Sequence, residues 1–234
     1  FIVHRSLSGR REKLAAFQLL SAYINHSIRV DGQSIWIAQA EGRAKDGDDR
    51  TDSAILKMFH MSRKDEPFGE VIQSLNLTPV SISYEYDPCD QAKARELFIR
   101  ASSGSYSKAP GEDDQSIALG ITGYKGRVHV HFGSVVSQGL EDSKQLAAEM
   151  DRQILSGYRL FPVHYLAYAM WAERDPELNV PDAAQLFSAA ELAAAQAEWH
   201  KRLSNCPSEQ QPFLILQYAN PVRNQYRIKA GLPL

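Results

Sequence analysis

The chain has 234 residues, 44% of them apolar and 23% charged, with a formal net charge of -2 and two cysteines. This balance excludes wholesale disorder, gives no basis for nucleic-acid binding, and leaves no cysteine spacing suited to a metal or redox motif. No apolar run approaches the roughly 18 residues that span a bilayer, and Cys89 and Cys206 read as two reduced thiols of a cytosolic compartment.

Phe1-Ile2-Val3 runs into His4-Arg5-Ser6, the pattern of a strand ending in a polar loop. A chain that starts with Phe inside a strand is expected to lack its N-terminal part. Leu14, Phe17, Leu20, Ile24 and Ile28 recur at spacings of three and four, which predicts an amphipathic helix closed by Asp31-Gly32. The apolar run Ile35 to Ala40 then reads as a second strand. It stops at Glu41-Gly42-Arg43, and the residues that follow are dense in Gly, Lys, Arg and Asp. Strand, helix, strand in this order predicts a right-handed parallel crossover, which brings Arg5 and Glu41-Gly42-Arg43 to one sheet edge.

Thr51-Asp52 predicts a cap before a helix over 53–61, and 68–75 reads as a second short helix. Leu77 to Tyr84 alternates as a strand. Helices are expected over 90–101, with Asp90 as a cap, and over 113–121, and a further strand over 126–132 closes at Gly133. Residues 1–136 therefore read as an α/β domain, a partly parallel sheet flanked by helices. Residues 137–234 read as an all-helical C-terminal region, with helices over 140–156, 163–172, 181–203 and 209–219 between Pro and Gly punctuation.

Four stretches carry a family resemblance. They are Phe1-Ile-Val-His-Arg5-Ser6-Leu7, Ile37-Ala-Gln-Ala-Glu41-Gly42-Arg43-Ala44-Lys45-Asp46-Gly47, Leu77-Thr-Pro79-Val80-Ser-Ile82 and Gly126-Arg127-Val-His-Val-His-Phe132-Gly133. In this order they resemble the blocks of the glycerolipid acyltransferases, which acylate glycerol 3-phosphate or its monoacyl form. The resemblance covers residues 1 to about 136. It implies transfer of a fatty acyl group from acyl-coenzyme A or acyl-carrier protein to a glycerol-phosphate hydroxyl. It also implies a peripheral position on the inner face of the membrane and no tightly bound cofactor. Arg5, Ser6, Glu41, Gly42, Arg43 and Lys45 are the implied acceptor-binding residues, because Arg and Lys can hold and neutralise a phosphate.

The family's general base sits in an Asn-His-x4-Asp block that precedes the arginine block, so here it is expected upstream of Phe1. Asn25-His26-Ser-Ile-Arg-Val-Asp31 repeats that pattern, but it follows Arg5, and His60 with Asp65 has the same His-to-Asp spacing. His26 and Asp31 therefore stand only as a substitute pair. Ala44 also departs from the family's Ser. His129 and His131 share one strand face, but no third metal ligand lies near them in sequence. The rival reading is a non-catalytic lipid- or anion-binding module on the same scaffold. A nucleotide enzyme is disfavoured because no Gly-rich phosphate loop or dinucleotide fingerprint is present.

Overall fold

The structure, a computed structural model, describes residues 9–39, 44–136 and 140–234. Helices α1 (Arg10–Arg29), α2 (Ser53–His60) and α3 (Phe68–Ser74) precede strand β1 (Val80–Tyr84). Helices α4 (Asp90–Ser103) and α5 (Glu112–Thr122) separate β1 from strand β2 (Val128–Phe132). Five helices follow: α6 (Ser143–Gly157), α7 (Pro162–Met170), α8 (Ala183–Leu186), α9 (Ala189–Ser204) and α10 (Gln211–Lys229). Two compact units result. The first draws its described residues from the stretches 1–43, 50–80 and 132–154, and the second from 44–49, 81–131 and 155–234.

This architecture corrects the expected α/β fold. The described residues are 58% helical, and among them the one sheet is an antiparallel pair, β1 with β2, not a partly parallel sheet flanked by helices. Two helices rather than one connect these strands, so the second strand returns antiparallel. The run Ile35 to Ala40, expected as a strand, finds no ladder partner in its described part, 35–39, and its Trp36 is 69% exposed. A strand is stable only as part of a pair, and an apolar run alone does not supply the partner. The predicted parallel crossover is therefore absent from the described residues. Phe1 to Val3, the other strand expected in it, lies outside them.

The ladder bonds Gly133 N–H to Pro79 C=O and Glu85 N–H to Arg127 C=O, at 2.8 and 2.9 Å, set the register and put Ile82 opposite Val130. The predicted alternation is present, but Ser81 and Ser83 are buried while Ile82, Val128, Val130 and Phe132 are exposed. Ser83 Oγ accepts the Arg159 N–H at 2.8 Å, which explains a hydroxyl on the buried face.

In the first unit the core gathers Ile24, Leu56, Phe59, Ile72 and Leu146. Only the C-terminal half of the α1 stripe serves it, since Leu14 and Phe17 are about half exposed. Ser21 Oγ and Asn25 Nδ2 both donate to the Phe59 carbonyl, at 3.1 and 3.0 Å, and so occupy an acceptor at the end of α2. At the other end of α2, Asp52 accepts from Ala54 N–H at 2.8 Å, the cap that the sequence predicts.

In the second unit α10 packs against α7 and α4, and Phe161, Val163, Trp199, Leu214 and Tyr218 share one core. His164 of α7 is buried there, its Nδ1 accepting the Phe161 N–H at 3.0 Å. Burial pushes the imidazole down from its ordinary 6.5 to about 4. The folded state therefore keeps His164 neutral where the unfolded chain protonates it. Stability is intact above pH 6.5 and falls as the pH drops from there towards about 4. Unfolding in urea at pH 7.5 and pH 5 should differ by about 2 kcal/mol from this residue. His164→Gln should flatten that difference, and an unchanged pH slope in the variant would remove the assignment.

Candidate functional site

The loop 44–49, which directly follows Glu41-Gly42-Arg43 in sequence, lies on α10. Pro221 sits inside that helix and has no N–H to give the Gln217 carbonyl one turn back. Gly47 comes to this point with φ +76. A Cβ there would stand 2.2 Å from the Gln217 oxygen and 3.1 Å from Pro221 Cδ, so only glycine fits. On either side of Pro221 two buried amides hold the loop. Asn220 Nδ2 donates to the Asp46 carbonyl at 2.8 Å, and Asn224 Nδ2 donates to Asp48 Oδ1 at 2.7 Å. Arg223 adds an ion pair to Asp48 at 3.6 Å. The Asp46 carboxylate in turn accepts the Asp48 N–H at 3.0 Å, closing a local turn.

Lys45 leaves this loop towards α4, where its Nζ pairs with Glu96. Glu96 is buried, and the same Oε1 also accepts Arg100 Nε at 2.9 Å. The loop thus offers a cation whose position is fixed by a carboxylate that water barely reaches. Such a group can bind an anion with little further loss of side-chain freedom.

Of the sequence-predicted site residues, Lys45 is placed in this way. Arg5, Ser6, Glu41, Gly42 and Arg43 lie outside the described residues. His26 and Asp31 do meet, Nε2 to Oδ1 at 3.4 Å, but their side chains are largely exposed at the end of α1. Asn25 of the same pattern is buried and spent on the Phe59 carbonyl. This pair has the geometry of an exposed ion pair, and no described contact directs it at a reacting group. The rings of His129 and His131 stack with centroids 6.5 Å apart, and a Cβ at Gly157 would lie 2.1 Å from His131 Cδ2. Among the described residues no group of three His, Cys, Asp or Glu side chains is placed to hold a metal.

Sequence reasoning missed two charge networks of the second unit. Arg127 grips Glu85 through Nε and Nη2, each at 2.9 Å, and its backbone N–H reaches the same carboxylate at 2.9 Å. Burial opposes ionisation of Glu85, but these Arg127 contacts outweigh it and hold the carboxyl below the usual range. The second network centres on Asp90, whose Oδ2 accepts Arg202 Nη1 at 2.5 Å and the Tyr218 hydroxyl at 2.7 Å. Arg202 Nη1 also reaches the Asp87 carbonyl at 3.0 Å, and its guanidinium lies 4.8 Å from the Tyr86 ring centroid. Burial raises the Asp90 carboxyl, and Arg202 and Tyr218 act against that rise. Asp90 and Arg202 are 112 residues apart, so no local pattern announces their pairing.

Among the described residues no helix is long and apolar enough to cross a membrane. No protein-family model matches the chain, and no curated protein or solved structure is significantly similar to it.

Proposed function

We propose that this chain carries the acceptor-binding part of an O-acyltransferase. The enzyme moves a fatty acyl group from acyl-coenzyme A or acyl-carrier protein to a hydroxyl of a glycerol phosphate. In the reaction the acceptor hydroxyl attacks the thioester carbonyl, a base takes the hydroxyl proton, and the thiolate leaves. The acceptor-binding residues that the resemblance implies are Arg5, Ser6, Glu41, Gly42, Arg43 and Lys45, and the base is a histidine paired with an aspartate. The chain's share of catalysis is positioning and charge neutralisation. The enzyme works on the cytoplasmic face of the membrane as a peripheral protein.

The order of the four sequence blocks is the basis of this reading. The structural observation that supports it is the loop 44–49, anchored by Gly47, Asn220 and Asn224 and presenting Lys45 from a buried carboxylate.

The test is thiol release from palmitoyl-coenzyme A, assayed on the protein as its gene encodes it. Thiol release should require glycerol 3-phosphate and yield its acyl ester. Arg43→Ala should raise the acceptor KM about 10- to 100-fold, the loss of a charge-assisted contact. Acceptor binding without thiol release would favour the non-catalytic module instead, and neither binding nor release would end both readings.

A further inference from the structure

Glu96 carries an unusual load. Its Oε1 accepts Arg100 Nε at 2.9 Å and Arg100 Nη2 at 2.7 Å, and the same oxygen pairs with Lys45 Nζ. One turn along α4, the Glu96–Arg100 pair is complete by itself as an i,i+4 ion pair. Lys45 is added from the loop 44–49, so one carboxylate faces two cations and the group keeps one net positive charge. Lys93, by contrast, meets its single carboxylate Asp87 one to one.

The unused donors all belong to the two cations. Arg100 spends its Nε–Nη2 edge on Glu96, and its Nη1 has no partner among the described residues. Its Nη1–Nη2 edge can grip two phosphate oxygens at once. The Arg100 side chain is 55% exposed and Lys45 25%, while Glu96 beneath them is 6% exposed. A ligand therefore reaches the cations and not the carboxylate that aligns them.

We infer that Arg100 is a further phosphate-binding residue, which with Lys45 forms a two-cation seat on Glu96 for the phosphate of the acceptor. This rests on the functional reading above and adds to it a residue from outside the four sequence blocks. Lys45 and Arg100 come from a loop and a helix 55 positions apart in sequence but share one carboxylate oxygen.

The experiment is calorimetric titration of the chain with glycerol 3-phosphate, and with inorganic phosphate as the minimal probe. Arg100→Ala should weaken both ligands about tenfold or more, with the thermal midpoint little changed because Lys45 still satisfies Glu96. Arg100→Lys keeps the charge but not the two-pronged edge, and should recover only part of the affinity. If Arg100→Ala fails to fold, Arg100→Lys decides, and affinity equal to the unaltered chain overturns the inference. Unchanged affinity in a folded Arg100→Ala overturns it as well, and leaves the acyltransferase reading standing. Absence of glycerol 3-phosphate binding by the unaltered chain overturns that reading and this inference together.

Discussion

Replacing Asp90 by Ala should lower the free energy of unfolding by about 3–5 kcal/mol. Asp90 is 1% exposed, and the substitution strips the Nη1 side of the Arg202 guanidinium, itself only 12% exposed, of its carboxylate, leaving it Glu198 on Nε at 2.9 Å. It also strips the Tyr218 hydroxyl of its acceptor, in a position where water cannot replace it. The cost comes from the abandoned partners more than from the lost pair. The double variant Asp90→Leu with Arg202→Met should therefore be closer to the unaltered chain than Asp90→Ala is. Urea unfolding at pH 7 measures both, and a loss below about 1 kcal/mol in Asp90→Ala would contradict the network.

Gly47→Ala should cost about 2–4 kcal/mol, from two sources. A left-handed backbone at φ +76 disfavours any L side chain, and the new methyl would meet the Gln217 carbonyl at 2.2 Å, a backbone atom that cannot swing aside. Gly32 provides the control. Its φ is +65, but nothing lies within 4 Å of the Cβ position, so Gly32→Ala should carry the backbone term alone, about 1–2 kcal/mol. The difference between the two isolates the close approach of the loop to α10. Equal costs would mean that the loop does not rest on the Pro221 carbonyl gap.

The helices were legible where local signals set them. Asp52 caps α2, and Gly157 and Pro162 mark the break between α6 and α7, because capping and breaking act within a few residues. Pro221, expected to end the last helix at 219, lies instead inside α10, and the stretch 181–203 divides into α8 and α9. Strand direction was not legible. Alternation at Leu77 to Tyr84 and at 126–132 marks extended chain, but the same pattern serves parallel and antiparallel pairing, and two intervening helices reverse the outcome. The Ile35 to Ala40 run failed for a related reason, since apolarity cannot certify a partner strand. Asp90 is expected as a cap, but it is the first residue of α4, whose N-cap is Cys89 with no side-chain cap bond, and its carboxylate accepts the adjacent Gln91 N–H at 2.7 Å. Its main partners lie on α9 and α10, beyond any window of sequence.

The site divides in the same way. Lys45 and the Gly47 turn are visible in the sequence as a loop rich in charge and glycine. The supporting residues are not, because Asn220 and Asn224 lie 174 and 176 positions from the groups they bond. Glu96 and Arg100 show only as an ordinary helical ion pair until the fold adds Lys45 to them.

The most direct measurement is the affinity of the unaltered chain for glycerol 3-phosphate compared with glycerol, by calorimetry at pH 7.5. Phosphate recognition by Lys45 and its neighbouring cations predicts saturable binding of the phosphate ester, no detectable binding of glycerol, and weakening as salt rises. Equal responses to the two ligands, or no response to either, would contradict the account.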